Sequence, residues 1–209
     1  MEKYTSLNNA LLVAFEDGYF PPETKGYNSI YKTLLVASIF KNWRPAYFRM
    51  TLVKIDGLDA TDNAIKILKE IMKKEEQKPI VMLGGITFAG FNIIDPIAIH
   101  EKYQIPVIVV CKEKPNNERV KRALMRHFPD WEKRYHIIEK FSNTASELIE
   151  LADPGRLYIR VLGMEPNQAL EIIRKTQVTG GIPEPLREAK TIASVIARAY
   201  FKIIQCKKR

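Results

Sequence analysis

Apolar positions along the chain fall into two rhythms. Residues 8–17, Asn-Asn-Ala-Leu-Leu-Val-Ala-Phe-Glu-Asp, read as a buried strand that runs into two acids. Residues 18–29, with Gly18, Pro21 and Pro22, read as a loop. Residues 31–40 and 46–56 read as a second and a third strand. In the third, Tyr47, Arg49, Thr51, Val53 and Ile55 share one face, and Phe48, Met50, Leu52 and Lys54 share the other. Short connections between the three imply an antiparallel meander. The rhythm then becomes helical: Thr61 or Asp62 can cap a helix that carries Ala64, Ile65, Leu68 and Ile71-Met72 at helical spacing.

Residues 79–84 form a short strand without a polar face, as a central parallel strand requires. A Gly-rich segment and a helix around 94–103 follow, and residues 106–111 repeat the buried-strand pattern. Pro115 opens a helix to about His127, residues 134–140 read as a basic strand, and residues 156–162 as another. Pro166 opens a helix to about Lys175, and Pro183 opens a last, long helix to about Ile204.

The order β-β-β-α-β-α-β-α is that of a ribonuclease-H-like fold: three antiparallel strands, then parallel strands, in one mixed α/β sheet flanked by helices. A doubly wound dinucleotide fold would alternate from its start. With 209 residues and no linker of low complexity, the expectation is one domain over 1–209. The segment Gly84 to Gly90 holds neither a G-x-G-x-x-G pattern nor a Walker lysine, which argues against a nucleotide site there.

The formal net charge is +9 with a pI near 9.4, a balance that suits an anionic partner, nucleic acid first. No apolar run is long enough for a membrane helix and no basic-then-apolar leader is present, so a cytoplasmic, non-membrane protein is expected. Cys111 ends a buried strand and Cys206 sits in a basic tail, which fits a reading as isolated thiols. His100, His127 and His136 have no ligand spacing, and no G-x-S-x-G elbow appears, so zinc and acyl-transfer chemistry are not expected.

Carboxylates gather where strands end. Glu16 and Asp17 close the first strand, Asp56, Asp59 and Asp62 follow the third, and Asp95 follows the fourth. Acids from separate segments that meet at one pole would suit Mg²⁺ or Mn²⁺, which take oxygen ligands and leave positions for water and phosphate. Capping and turn chemistry is the rival reading, and it is the stronger one for Asp59 and Asp62. Lys112 follows the strand 106–111, either placed to meet a phosphate or solvated. Arg119, Arg122 and Arg126, with Lys114, Lys121, Lys133, Arg134 and Lys140, surround Phe128, Trp131 and Tyr135. That mixture can hold a nucleic-acid strand by charge and stacking, although the aromatics also suit a core.

Three stretches carry a resemblance: Leu83-Gly84-Gly85-Ile86-Thr87-Phe88-Ala89-Gly90-Phe91-Asn92, Ile55-Asp56-Gly57-Leu58-Asp59-Ala60-Thr61, and Pro183-Glu184-Pro185-Leu186-Arg187. With Phe15-Glu16-Asp17-Gly18 they resemble the mainly archaeal family of domain of unknown function 99 (uncharacterised protein family 0215), which is similar to endonuclease V, a metal-dependent nuclease acting near deaminated bases. The resemblance places that nuclease's first-strand aspartate on Glu16, its helix-start glutamate near Asp62 or Asn63, and its lysine after the fifth strand on Lys112. Its Pro-Glu-Pro-x-Arg stretch falls on Pro183 to Arg187. Its fourth-strand aspartate falls on Gly84, and its Gly-His histidine has no counterpart near Gly163-Met164.

The leading expectation is therefore a nucleic-acid-binding, endonuclease V-like protein, with phosphodiester hydrolysis left open. Glu16, Asp17, Asp56 and Asp59 would hold Mg²⁺ or Mn²⁺, Lys112 would face the scissile phosphate, and Asn92, Arg119, Arg122, Arg126 and Arg187 would contact the strand. A binder that lost its metal, favoured by Gly84, and a small-molecule or protein-interaction domain are the alternatives. Neither oligomeric state nor the choice between DNA and RNA is written in these patterns.

Overall fold

The computed structural model describes residues 9–206. Its elements run β1 (Leu11–Asp17), β2 (Lys32–Lys41), β3 (Arg44–Lys54), α1 (Ala60–Glu75), β4 (Ile80–Leu83), β5 (Thr87–Phe88), β6 (Asn92–Ile93), α2 (Pro96–Tyr103), β7 (Val107–Cys111), α3 (Asn117–His127), α4 (Trp131–Thr144), β8 (Ile149–Leu151), β9 (Leu157–Leu162), α5 (Pro166–Thr176) and α6 (Glu184–Cys206). A 3-10 turn, Pro22–Thr24, lies in the first loop. Among the described residues no helix is long and apolar enough to cross a membrane.

The main sheet has the order β3-β2-β1-β4-β7-β9-β8. β2 runs antiparallel to β1 and β3, β4 runs parallel to β1 and β7, and β9 runs antiparallel to β7 and β8. This is the expected mixed sheet with its antiparallel meander first. β1 sits inside it, and the run Leu11 to Phe15 is buried because both faces of the strand are covered. Leu11, Val13 and Phe15 join α1 and α2 on one face, through Leu68, Ile71 and Ile97. Leu12 and Ala14 join α5 on the other, through Ile172 and Ile173. Each such fully buried side chain contributes about 1.5–3 kcal/mol of transfer free energy.

α6 lies over β1 and β2 with Ala189, Ala193 and Ala197 against Leu34 and Val36. This small-residue stripe at i, i+4 and i+8 lets the helix come close. At Gly18 the approach is so tight that an added Cβ would stand 2.6 Å from Ala197 Cβ. The close docking sets the end of β1 beneath the stretch of α6 from Lys190 to Ala197.

One expectation changes, and two features are added. Residues 134–140 lie in helix α4, not in a strand, because Arg134, Tyr135, Ile138 and Phe141 are buried at helical spacing, with Tyr135 and Ile138 packed against Leu124 of α3 and Ile93 of the hairpin and Phe141 in the main core. Residues 149–151 pair with β9 as the edge strand β8, which is too short to stand out in the sequence. The Gly-rich segment is a β-hairpin, β5 and β6, turning through Ala89 and Gly90 at positive φ.

Candidate active site

The carboxylates of Glu16 and Asp17 meet at one lysine. Lys190 Nζ, on α6, donates to Asp17 Oδ1 at 2.6 Å and to the Asp17 carbonyl at 3.1 Å, and it stands 3.4 Å from Glu16 Oε2. Asp17 Oδ2 accepts from Ala89 N–H at 2.7 Å, so the hairpin turn holds the carboxylate from the other side. Burial first, then the neighbouring Asp17 charge, lifts Glu16 to about 7, while Lys190 and Lys112 oppose the rise. Burial works against the Lys190 ammonium, yet the two carboxylates outweigh it and raise its pKa.

The acids lie in a cleft of about 520 Å³ whose walls include Gly84, Gly85, Lys112, Arg187 and Lys190. Lys112 is solvent-exposed at the end of β7, and its charge acts on Glu16. Arg187 is committed to Glu184 through its Nε at 2.7 Å. A second, more enclosed cavity of about 300 Å³ shares Gly85, Thr87, Cys111 and Glu113 with the cleft, and Tyr158 and Phe141 help to line it. Cys111, on this shared wall, is a free thiol that burial pushes up to about 11.

Asp56 and Asp59 do not join this pair, which corrects the expectation of four acids around one ion. Among the described residues no three His, Cys, Asp or Glu side chains group closely enough to hold a metal. Asp56 is buried, and its carboxylate accepts from Gly26 N–H and Phe91 N–H, each at 2.8 Å. Asp59 Oδ1 accepts from Asn92 Nδ2 at 2.6 Å and from Lys54 N–H at 3.1 Å. Both acids are thereby spent on local hydrogen bonds, which in buried Asp56 replace the water its carboxylate has lost.

Asn92 is likewise corrected as a strand-contacting residue, because it is fully buried. Its Oδ1 accepts from Ala60 N–H and its Nδ2 donates to the Lys54 carbonyl and to Asp59, so the hairpin caps α1 from a distance. Buried Arg134 completes the clamp, donating to the carbonyls of Gly57 and Phe91 and to Asp130 Oδ1 while stacking on Phe128. Asp62 is exposed in the first turn of α1. Arg119, Arg122 and Arg126 are exposed along α3, whereas Phe128 and Tyr135 are core and Trp131 is half-buried against them.

Lys190 escaped the sequence reading. Its signal was positional: it borders the alanine stripe of α6, next to Ala189, where a long side chain reaches across the docked strand end.

Comparison with known proteins sets a name beside this geometry. A model of the endonuclease dU family matches residues 9–197. The chain belongs to the endonuclease dU family. Its relatives include UPF0215 proteins of the archaea Thermococcus gammatolerans, 37% identical with 88% of this chain and 91% of the relative covered, and Methanothermobacter thermautotrophicus, 36% identical with 88% and 85% covered. Among solved structures, a protein of unknown function from Archaeoglobus fulgidus matches with a TM-score of 0.74 at 29% identity, over 90% of this chain and 98% of that one. Human ENDOV matches at TM-score 0.57 and 12% identity, over 92% and 86%. Ciona intestinalis endonuclease V, solved with a 24mer DNA containing an inosine, matches at 0.51 and 15%, over 94% and 87%. The expected endonuclease V-like architecture thus holds at the level of fold, and the relatives are archaeal as the resemblance implied.

Within this endonuclease dU family chain the strand end gathers oxygen donors around a single cationic group. Two carboxylates and a backbone carbonyl already surround one positive charge, the Lys190 ammonium. Mg²⁺ and Mn²⁺ commonly take one or two protein carboxylates and fill the remaining positions with water and phosphate.

Proposed function

We propose that this endonuclease dU family chain is a metal-dependent endonuclease that cuts a nucleic-acid strand near deoxyuridine. The observation that carries the reading is the meeting of Glu16 and Asp17 around one cation in an open cleft flanked by Lys112. Mg²⁺ or Mn²⁺ held by the two carboxylates would polarise a phosphoryl oxygen and favour hydroxide from its bound water. Asp17, fixed by Ala89 N–H, supplies an oxygen of constant position. Lys112 binds the phosphate that enters the cleft, and the half-exposed Lys190, which here holds both acids, would be free to meet the same anion where a divalent ion took its place. Arg119, Arg122 and Arg126 on α3, with Arg187 at the cleft wall, track the backbone. The enclosed cavity behind Gly85 takes the base, between Tyr158 and Phe141.

The test uses end-labelled oligonucleotides with one deoxyuridine, one inosine or neither, single- and double-stranded, with Mn²⁺, Mg²⁺ or EDTA. Cutting near deoxyuridine that needs metal and vanishes in Glu16→Gln and Asp17→Asn, but survives in Asp62→Asn, is the expected result. A second reading, a binder without catalysis, draws on the Lys190 ammonium that already neutralises the acid pair. Salt-sensitive binding with no cutting under any metal selects it. Absence of binding to every oligonucleotide at low salt removes both and leaves an interaction domain.

A further inference from the structure

Two glycines follow β4, and they are there for different reasons. Gly85 has φ +96, a conformation that side chains resist. Gly84 lies outside that left-handed region, so its backbone would accept a side chain. What a side chain there would meet is the carboxylate end of Glu16, which would have to leave its place. In the parallel pairing of β1 with β4, Phe15 stands beside Leu83, and the Gly84 N–H continues the ladder to the Phe15 carbonyl at 3.3 Å. Glu16 and Gly84 are therefore the next neighbours, on the same face of the sheet. The Glu16 side chain crosses to its neighbour and lays its carboxylate over Gly84. A Cβ added there would overlap Oε1 and stand 2.5 Å from Cδ. The other oxygen, Oε2, faces Lys190, whose ammonium also binds Asp17.

We propose that Gly84 is a positioning residue of the cation site: its missing side chain is the niche that seats the Glu16 carboxylate beside Asp17. The β1 acid thereby serves from the place of a β4 side chain. This rests on the cation site proposed above, and it extends that site to a residue with no ligating group.

Two measurements on the full chain test it. The first is a stability cycle by chemical denaturation. Gly84→Ala is expected to shift stability while Glu16 fills the niche, because the carboxylate must leave it, and to shift it little in the Glu16→Ala background, where the niche is empty. The second is Mn²⁺ affinity, read by electron paramagnetic resonance or calorimetry without any nucleic acid. Gly84→Ala and Glu16→Ala should each weaken it by about tenfold or more. Glu16→Ala combined with Gly84→Asp, which returns a carboxylate to the same space from β4, should regain most of that loss. Equal stability shifts in both backgrounds overturn the proposal. So does a double variant that binds Mn²⁺ no better than Glu16→Ala, or a wild-type chain that binds none. Intact Mn²⁺ binding and rescue without strand cutting would instead refute the nuclease reading and leave the niche standing.

Discussion

Replacing Glu16 with glutamine turns the buried acid into a stability measurement. The rise from 4.5 to about 7 means that the folded protein holds the Glu16 proton more tightly than the unfolded chain does. Its contribution to stability is therefore fully present below 4.5 and is lost as pH climbs through about 7. A shift of that size corresponds to about 3 kcal/mol. Glutamine has nearly the same shape and no charge at any pH. Wild type and Glu16→Gln should thus be almost equally stable near pH 4.5 and diverge above it, with the variant ahead by up to about 3 kcal/mol near pH 8. For a chain of this size that is roughly 6–12 °C in melting temperature. Thermal melts of both proteins, run in parallel across this range without divalent metal, give the difference directly, and titrations elsewhere cancel. A difference that stays flat with pH, or a wild type that gains on the variant as pH rises, would refute the assignment of a burial-dominated carboxyl at this position.

Asn92→Ala should cost about 2–4 kcal/mol in chemical denaturation, because Ala60 N–H, the Lys54 carbonyl and Asp59 all lose a buried partner. Arg134→Met should cost about 3–5 kcal/mol, since it strands Asp130 and two buried carbonyls. Its far-UV circular dichroism should keep the helical signal if α4 is held by Tyr135, Ile138 and Phe141. Alanine at Arg119, Arg122 and Arg126 together should leave the melting temperature within about 2 °C, as exposed surface changes do. The same triple variant should flatten the salt dependence of oligonucleotide binding by about one phosphate contact per arginine; an unchanged slope would move the nucleic-acid path off α3.

The strand–helix order was legible because burial on two faces writes itself as continuous apolar runs, as in Leu11 to Phe15 and Val107 to Val110. Residues 134–140 misread because Tyr135, Ile137 and Ile138 favour strands locally, while the packing of Tyr135 and Ile138 against Leu124 and Phe128, and of Phe141 into the main core, decides for helix. The acids were legible as a set but not in their roles. Spacing along the chain cannot show that Asp56 turns to the Gly26 and Phe91 N–H groups, and Asp59 to Lys54 N–H and the Asn92 amide, while Glu16 and Asp17 turn to α6.

By itself the sequence determined the kinds of element, the unbroken apolar run that buries β1 on both faces, and the surplus of positive charge, because each of these is a local or summed property of residues. Tertiary structure alone decided which charges face one another. Lys190 is distant from Glu16 along the chain and reaches it only because Gly18 and the alanines of α6 let helix and strand approach so closely. The emptiness of Gly84 acquired meaning in the same way, once a parallel neighbour laid its carboxylate across it.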